Sequence, residues 1–201
     1  MNADRYQRVL IVMAMRGEAL PLIDALGRSW QSVSADEAFE PPLPLRLWTF
    51  RHAEGGEVGI VVTGEDPLHG VDSVATAPAA LATHAGIGRL EPDLVLTVGT
   101  AGALPGQATV GQVFHVGGFR FHDRRIVGVT DDFERYGVYP QDAAALPVPA
   151  DGTPVETAIV STGNALNPVA EDFRSMAAHG AILKEMEGAA IAWVAALHGV
   201  P

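Results

Sequence analysis

Residues 9–15 read VLIVMAM and residues 16–26 read RGEALPLIDAL, an apolar run followed at once by an amphipathic one. A short, unbroken apolar run is the pattern of a strand buried on both faces, as happens when helices cover a parallel sheet. The run is too short to span a membrane, and no signal-peptide cleavage pattern follows it. The segment 18–26 then continues as a helix, which makes a strand-then-helix unit. Four further runs read as strands: EVGIVVTG (57–64), DLVLTVGTAG (93–102), VGQVFHVGG (110–118) and TAIVSTG (157–163). Helices are expected over 73–87, 169–178 and 187–198. Strands alternating with helices indicate an α/β architecture with a mainly parallel sheet.

LRLWTF (45–50) and EVGIVV are joined by HAEGGE, where Gly55 and Gly56 supply a tight hairpin turn, so the sheet is expected to be mixed. The stretch 131–153 is rich in Pro, Asp and Ala and is expected to be a long loop. The last helix carries Gly188, Ala189, Ala190, Ala192, Ala195 and Ala196, almost without a polar face, so it must be buried. No repeat, linker or low-complexity tract divides the chain, and residues 1–201 are expected to form one domain.

The 201 residues carry 13 Lys and Arg against 24 Asp and Glu, a formal charge of −11. Such a field repels nucleic acid and acidic membranes, and a small ligand suits it better. The absence of cysteine excludes disulfides and thiolate chemistry and fits a cytoplasmic location.

Ligands of open α/β sheets bind just past strand ends, and four such places carry distinctive residues. Glu18 follows the first run, where it can serve the helix dipole or a reaction. Gly99, Thr100, Ala101 and Gly102 leave the third run; small residues there permit close backbone approach to a flat ligand, or simply make a turn. Glu185, Met186 and Glu187 sit in apolar surroundings, so each carboxylate must reach a cleft or pair with a donor such as a ribose diol. The segment 160–167, VSTGNALN, is a binding turn, a helix start capped by Asn167 with Pro168 in first position, or both. The seven His form no metal array, His122 beside Asp123 reads as structural, and no serine elbow or phosphate loop is present.

Taken in order, AMRGEALPLIDALG (14–27), GVDSVATAPAAL (70–81), EPDLVLTVGTAG (91–102), VGQVFHVGGFRFHDRRI (110–126), STGNAL (161–166) and LKEMEGAAIAWVA (183–195) resemble the methylthioadenosine/S-adenosylhomocysteine nucleosidases, most closely the plant-type methylthioadenosine nucleosidases. The resemblance implies the nucleoside phosphorylase fold, a three-layer α/β/α sandwich around a mixed sheet. It also implies hydrolysis of the N-glycosidic bond of a 5′-thio-adenosine, without cofactor or metal, by a homodimer. Glu18 then resembles the carboxylate that activates water, and Glu187 the residue that binds the ribose hydroxyls, with Met186 on the sugar and Glu185 nearby. Thr100, Ala101 and Gly102 would line adenine and ribose, while Leu166 and the backbone of Asn167 would meet the base. Met15 and Phe121 resemble residues of the alkylthio pocket, Phe121 being given across the dimer interface.

Two departures accompany the resemblance. The family protonates the leaving adenine from an aspartate on the next strand, which would begin at about Pro201, so the chain is expected to lack the final strand and C-terminal helix and to be a poor catalyst as it stands. Asn164 stands where the family pattern has aspartate, which removes a charge near the base. A phosphorylase of the same fold is the sister reading, disfavoured because Leu96, Thr97 and Val98 include no arginine and Glu18 repels an anion. A non-catalytic adenosine-binding relative is the other alternative.

Overall fold

The computed structural model describes residues 6–40, 42–126, 128–146 and 155–201. Its contacts divide the chain into two compact units: residues through Thr100 with Trp193–Pro201, and Ala101–Ala192.

The first unit runs β1 (Arg8–Met13), α1 (Arg16–Ser29), β2 (Gln31–Ala38), β3 (Arg46–Arg51), β4 (Glu57–Val62), α2 (Thr76–Leu90) and β5 (Leu94–Thr97). Its sheet has the order β2-β3-β4-β1-β5. β1 pairs parallel with β4 and β5, whereas β2, β3 and β4 are joined antiparallel. The β3–β4 hairpin forms as expected, with Gly55 and Gly56 at φ of 102° and 90°, values that cost glycine little. Strand alternation sorts the side chains. Ile11, Met13, Val58, Ile60 and Val62 pack with Ala19, Leu22, Ile23 and Leu26 of α1. Leu10 and Val61 point the other way, so close to α2 that a methyl on Gly86 would lie 2.9 Å from Leu10 and 3.2 Å from Val61. This unit is therefore itself a helix–sheet–helix stack, with its core on both faces of β1 and β4.

The second unit contains β6 (Gly102–Ala103), β7 (Phe114–Phe121), α3 (Asp131–Val138), β8 (Gln141–Asp142), β9 (Glu156–Thr162), α4 (Ala170–Ala178) and β10 (Ala181–Glu185), and α5 (Gly188–Leu197) begins within it. Its sheet has the order β6-β10-β9-β7-β8, with β7, β9 and β10 parallel. The mixed α/β organisation thus holds, carried by two five-stranded sheets. Among the described residues no helix is long and apolar enough to cross a membrane.

Three expectations need correction. The strand expected over 110–118 begins at Phe114 and runs on to Phe121, because Gly111 is left-handed at φ 85° in a turn closed by Gln112 N donating to Thr109 O, and Val110 and Val113 are exposed. The loop expected over 131–153 holds a helix and a short strand; its residues 147–153 lie outside the described ones. Thr130 caps that helix by accepting from Phe133 N, and acidic Asp131, Asp132 and Glu134 suit its positive end. Tertiary contact completes it, because the Arg124 guanidinium lies over both the Phe121 and Tyr136 rings, 4.4 and 4.5 Å from their centroids. Finally, α4 starts after Val169 and not at Pro168, since the Asp172 carboxylate accepts from Val169 N at 2.8 Å and takes over the capping expected of Asn167.

Candidate active site

In the first unit the expected residues gather where β1 and β5 end. Met15 precedes α1 and Glu18 lies in its first turn, with Glu18 N donating to Met15 O at 3.1 Å. Thr100, which follows β5, donates to Glu18 Oε1 from its backbone N at 2.9 Å and from its hydroxyl at 2.6 Å. Both donors fall on one carboxylate oxygen. Oε2 accepts none among the described residues and faces Gly99, where an added Cβ would stand 3.5 Å from it. A carboxylate that served only the helix dipole would need no such partner 82 residues away. Met15 is 37% exposed. A separate cleft of about 260 Å³ in this unit is lined by Arg16, Pro44, Arg46, Trp48, Glu65 and Asp72 and includes none of the expected residues.

In the second unit the remaining residues lie around the ends of β7, β9 and β10. Glu185 is the most constrained: Oε2 accepts from Glu187 N at 2.7 Å and Gly188 N at 2.5 Å, and Oε1 accepts from the Thr162 hydroxyl. The Thr162 hydroxyl in turn accepts from Ala189 N at 2.8 Å. Glu185 and Thr162 therefore satisfy amides that the start of α5 would otherwise leave unpaired. Burial pushes the Glu185 carboxyl above the usual range, opposed by the hydrogen bonds from Thr162, Gly188 and Glu187, while the nearby Glu187 charge adds to the rise. Glu187 is half-buried, and its carbonyl accepts from Ala190 and Ile191, which places it at the helix start with Met186 just before it. Ala101 and Gly102 are exposed, Gly102 pairing with Lys184 across the β6–β10 ladder.

The turn after β9 is held by groups that sequence reasoning did not assign. Asp123 accepts from Asn164, and Lys184 Nζ donates to Ala165 O at 2.6 Å. Beyond them Leu166 is 76% exposed and Asn167 half-buried. His122 is buried behind the turn, its Nδ1 3.0 Å from Ser161 Oγ. Desolvation lowers its pKa from the ordinary imidazole value, with Asp123 and Asp172 pulling the other way. An Asp next to a His and a hydroxyl inside a strand carry no pattern that announces these partners; the Ser-Thr-Gly-Asn turn was the available signal. Phe121 is 3% exposed and packs with Phe119, Tyr139, Ala189 and Ala190. Among the described residues no group of three or more His, Asp or Glu could hold a metal ion.

The sequence matches the phosphorylase superfamily over residues 8–201. The 5′-methylthioadenosine nucleosidase of Arabidopsis thaliana is 37% identical over 197 residues, covering 96% of this chain and 70% of that protein. The 5′-methylthioadenosine/S-adenosylhomocysteine nucleosidase of the same plant is 34% identical, covering 96% of this chain and 74% of that protein. The solved apo structure of the Arabidopsis thaliana 5′-methylthioadenosine nucleosidase has a TM-score of 0.88 at 36% identity, covering 98% of this chain and 78% of that one. With an α/β fold of this kind and carboxylates at its strand ends, the chain belongs to the methylthioadenosine/S-adenosylhomocysteine nucleosidase family of the phosphorylase superfamily.

Proposed function

We propose that this protein is an N-glycosyl hydrolase that splits 5′-methylthioadenosine, and by extension S-adenosylhomocysteine, into adenine and a thio-ribose, in purine and methionine salvage. The observation that carries the reading is the state of Glu18. Thr100 fixes the carboxylate through Oε1 and leaves Oε2 without a donor among the described residues, which is the arrangement a water-activating base needs. Cleavage of a ribosidic C–N bond develops positive charge on the sugar, which carboxylate charge favours, and this reading assigns that role to Glu18 and Glu187. Glu18 takes a proton from the water as its oxygen bonds the anomeric carbon and the C–N bond breaks; the leaving adenine takes a proton from solvent, and Glu18 returns its own to solvent. Met15 and Phe121 are assigned to the alkylthio group, Glu187, Met186 and Glu185 to the ribose side, Thr100, Ala101 and Gly102 to ribose and base, and Leu166 with the Asn167 backbone to the base.

Hydrolysis is preferred over phosphorolysis because the donors at Thr100 are already given to a carboxylate, which repels phosphate. The relatives at 37% and 34% identity are both named as nucleosidases. The reading includes a cytoplasmic homodimer. Sedimentation tests the association. The reaction is tested by incubating the protein, as its gene encodes it, with 5′-methylthioadenosine in the presence and absence of phosphate. Equal adenine release in both is expected. Release that needs phosphate overturns the hydrolase assignment, and saturable binding without release overturns the enzyme assignment.

A further inference from the structure

Asp123 comes two residues after the end of β7, yet its carboxylate is committed to the turn that leaves β9. Oδ2 accepts from the backbone N of Asn164 at 2.6 Å and from the Asn164 side-chain amide at 3.2 Å. The other oxygen, Oδ1, is buried and has no hydrogen-bond donor among the described residues, so Asn164 supplies the polar partners of this carboxylate. One residue on, Lys184 Nζ donates to Ala165 O at 2.6 Å. The turn is thus gripped at two successive residues, while the Leu166 side chain that follows is 76% exposed and open to a ligand.

We propose that Asp123 is a positioning residue which clamps the turn at Asn164 and so sets where Leu166 and Asn167 meet the base, and that in this chain, which has asparagine where the family pattern has aspartate, the amide at 164 is matched to that carboxylate. The second half rests on the reading above that this turn receives adenine. The clamp itself is independent of the reading. Asparagine at 164 offers the Asp123 carboxylate two donors from one residue. A carboxylate at 164 offers only the backbone donor and sets a second negative charge about 3 Å away, which disfavours both ionised groups. The pair is also reversible in principle, since an amide at 123 can donate to a carboxylate at 164 while its own oxygen still accepts the backbone N–H of 164.

The test compares the parent with Asn164→Asp, Asp123→Asn and the exchanged pair Asp123→Asn/Asn164→Asp. Amide hydrogen exchange over residues 163–167 reads the clamp, and the Kd for adenine by calorimetry reads its consequence. Asn164→Asp is expected to speed exchange of this segment and to weaken adenine binding, each by about tenfold, the effect of losing one hydrogen bond to a charged group. The exchanged pair is expected to recover most of both. If Asn164→Asp exchanges and binds like the parent, or if the exchanged pair is no better than Asn164→Asp, the clamp is refuted. If Asn164→Asp fails to fold, recovery of a parent-like melt and exchange rate by the exchanged pair supports the clamp, and no recovery refutes it. A parent that does not bind adenine removes the functional reading alone, and the exchange data still decide on Asp123.

Discussion

Gly163→Ala offers a sharp test of how the turn after β9 is built. Gly163 is absent from the left-handed glycines, so its φ gives no reason for glycine; the reason is its neighbour. A Cβ placed there would lie 2.2 Å from His122 Nε2, 2.6 Å from Cε1 and 2.8 Å from Cδ2, more than an ångström inside ordinary contact at the closest point. Neither partner can retreat. The imidazole is 3% exposed with Nδ1 engaged by Ser161 Oγ, and Gly163 N donates to Glu185 O at 3.2 Å, which fixes the backbone to β10. Overpacking of this kind costs about 1–3 kcal/mol, and with both sides fixed the expected loss is about 3 kcal/mol. In a domain of this size that lowers Tm by roughly 6–12 °C. Urea denaturation followed by circular dichroism measures it, with His122→Ala and the double variant completing a cycle. His122→Ala alone is expected to cost about 2–4 kcal/mol for the lost ring. Gly163→Ala on that background should add less than about 0.5 kcal/mol, since the methyl enters vacated space. An unchanged parent-like stability for Gly163→Ala, or the same penalty with the ring already gone, would refute the reasoning.

Two further outcomes follow from the same geometry. Glu18→Gln keeps an oxygen that can accept both Thr100 donors, so its melt should match the parent, while adenine release falls by about 10²- to 10⁴-fold for loss of the base; an active variant would show that Glu18 is not that base. For His122, whose pKa is lowered by burial, the unfolded chain binds a proton at higher pH than the folded one. Stability is therefore full above the ordinary imidazole pKa and is lost as pH falls from there toward the lowered folded value, and His122→Gln should flatten that part of a urea-midpoint-versus-pH curve.

The strand runs at 9–15, 57–64, 93–102 and 157–163 and the Gly55-Gly56 hairpin were legible because burial on two faces leaves an apolar signature within a few residues. β2 was not anticipated: QSVSADEA is mostly exposed, forms an edge with a left-handed Asp36 and register shifts, and carries little apolar signal. α3 was missed for a different reason, since its cap at Thr130 is local but the Arg124 contact with the Phe121 and Tyr136 rings that docks it depends on β7. The candidate residues themselves were visible as polar groups just past apolar runs, with Glu18, Thr100, Glu185 and Glu187 named by that logic.

Sequence alone indicated an α/β chain of a nucleosidase-like kind and a set of candidate segments for its site, because periodicity and motif order are properties of neighbouring residues. Tertiary structure decided what each of those residues is tied to. Glu18 meets Thr100 across 82 positions, Asp123 meets Asn164 across 41, and Thr162 meets Glu185 across 23, to cap α5. Such pairings are set by which strands lie side by side, and strand order is fixed by packing of the whole sheet; no local pattern records it.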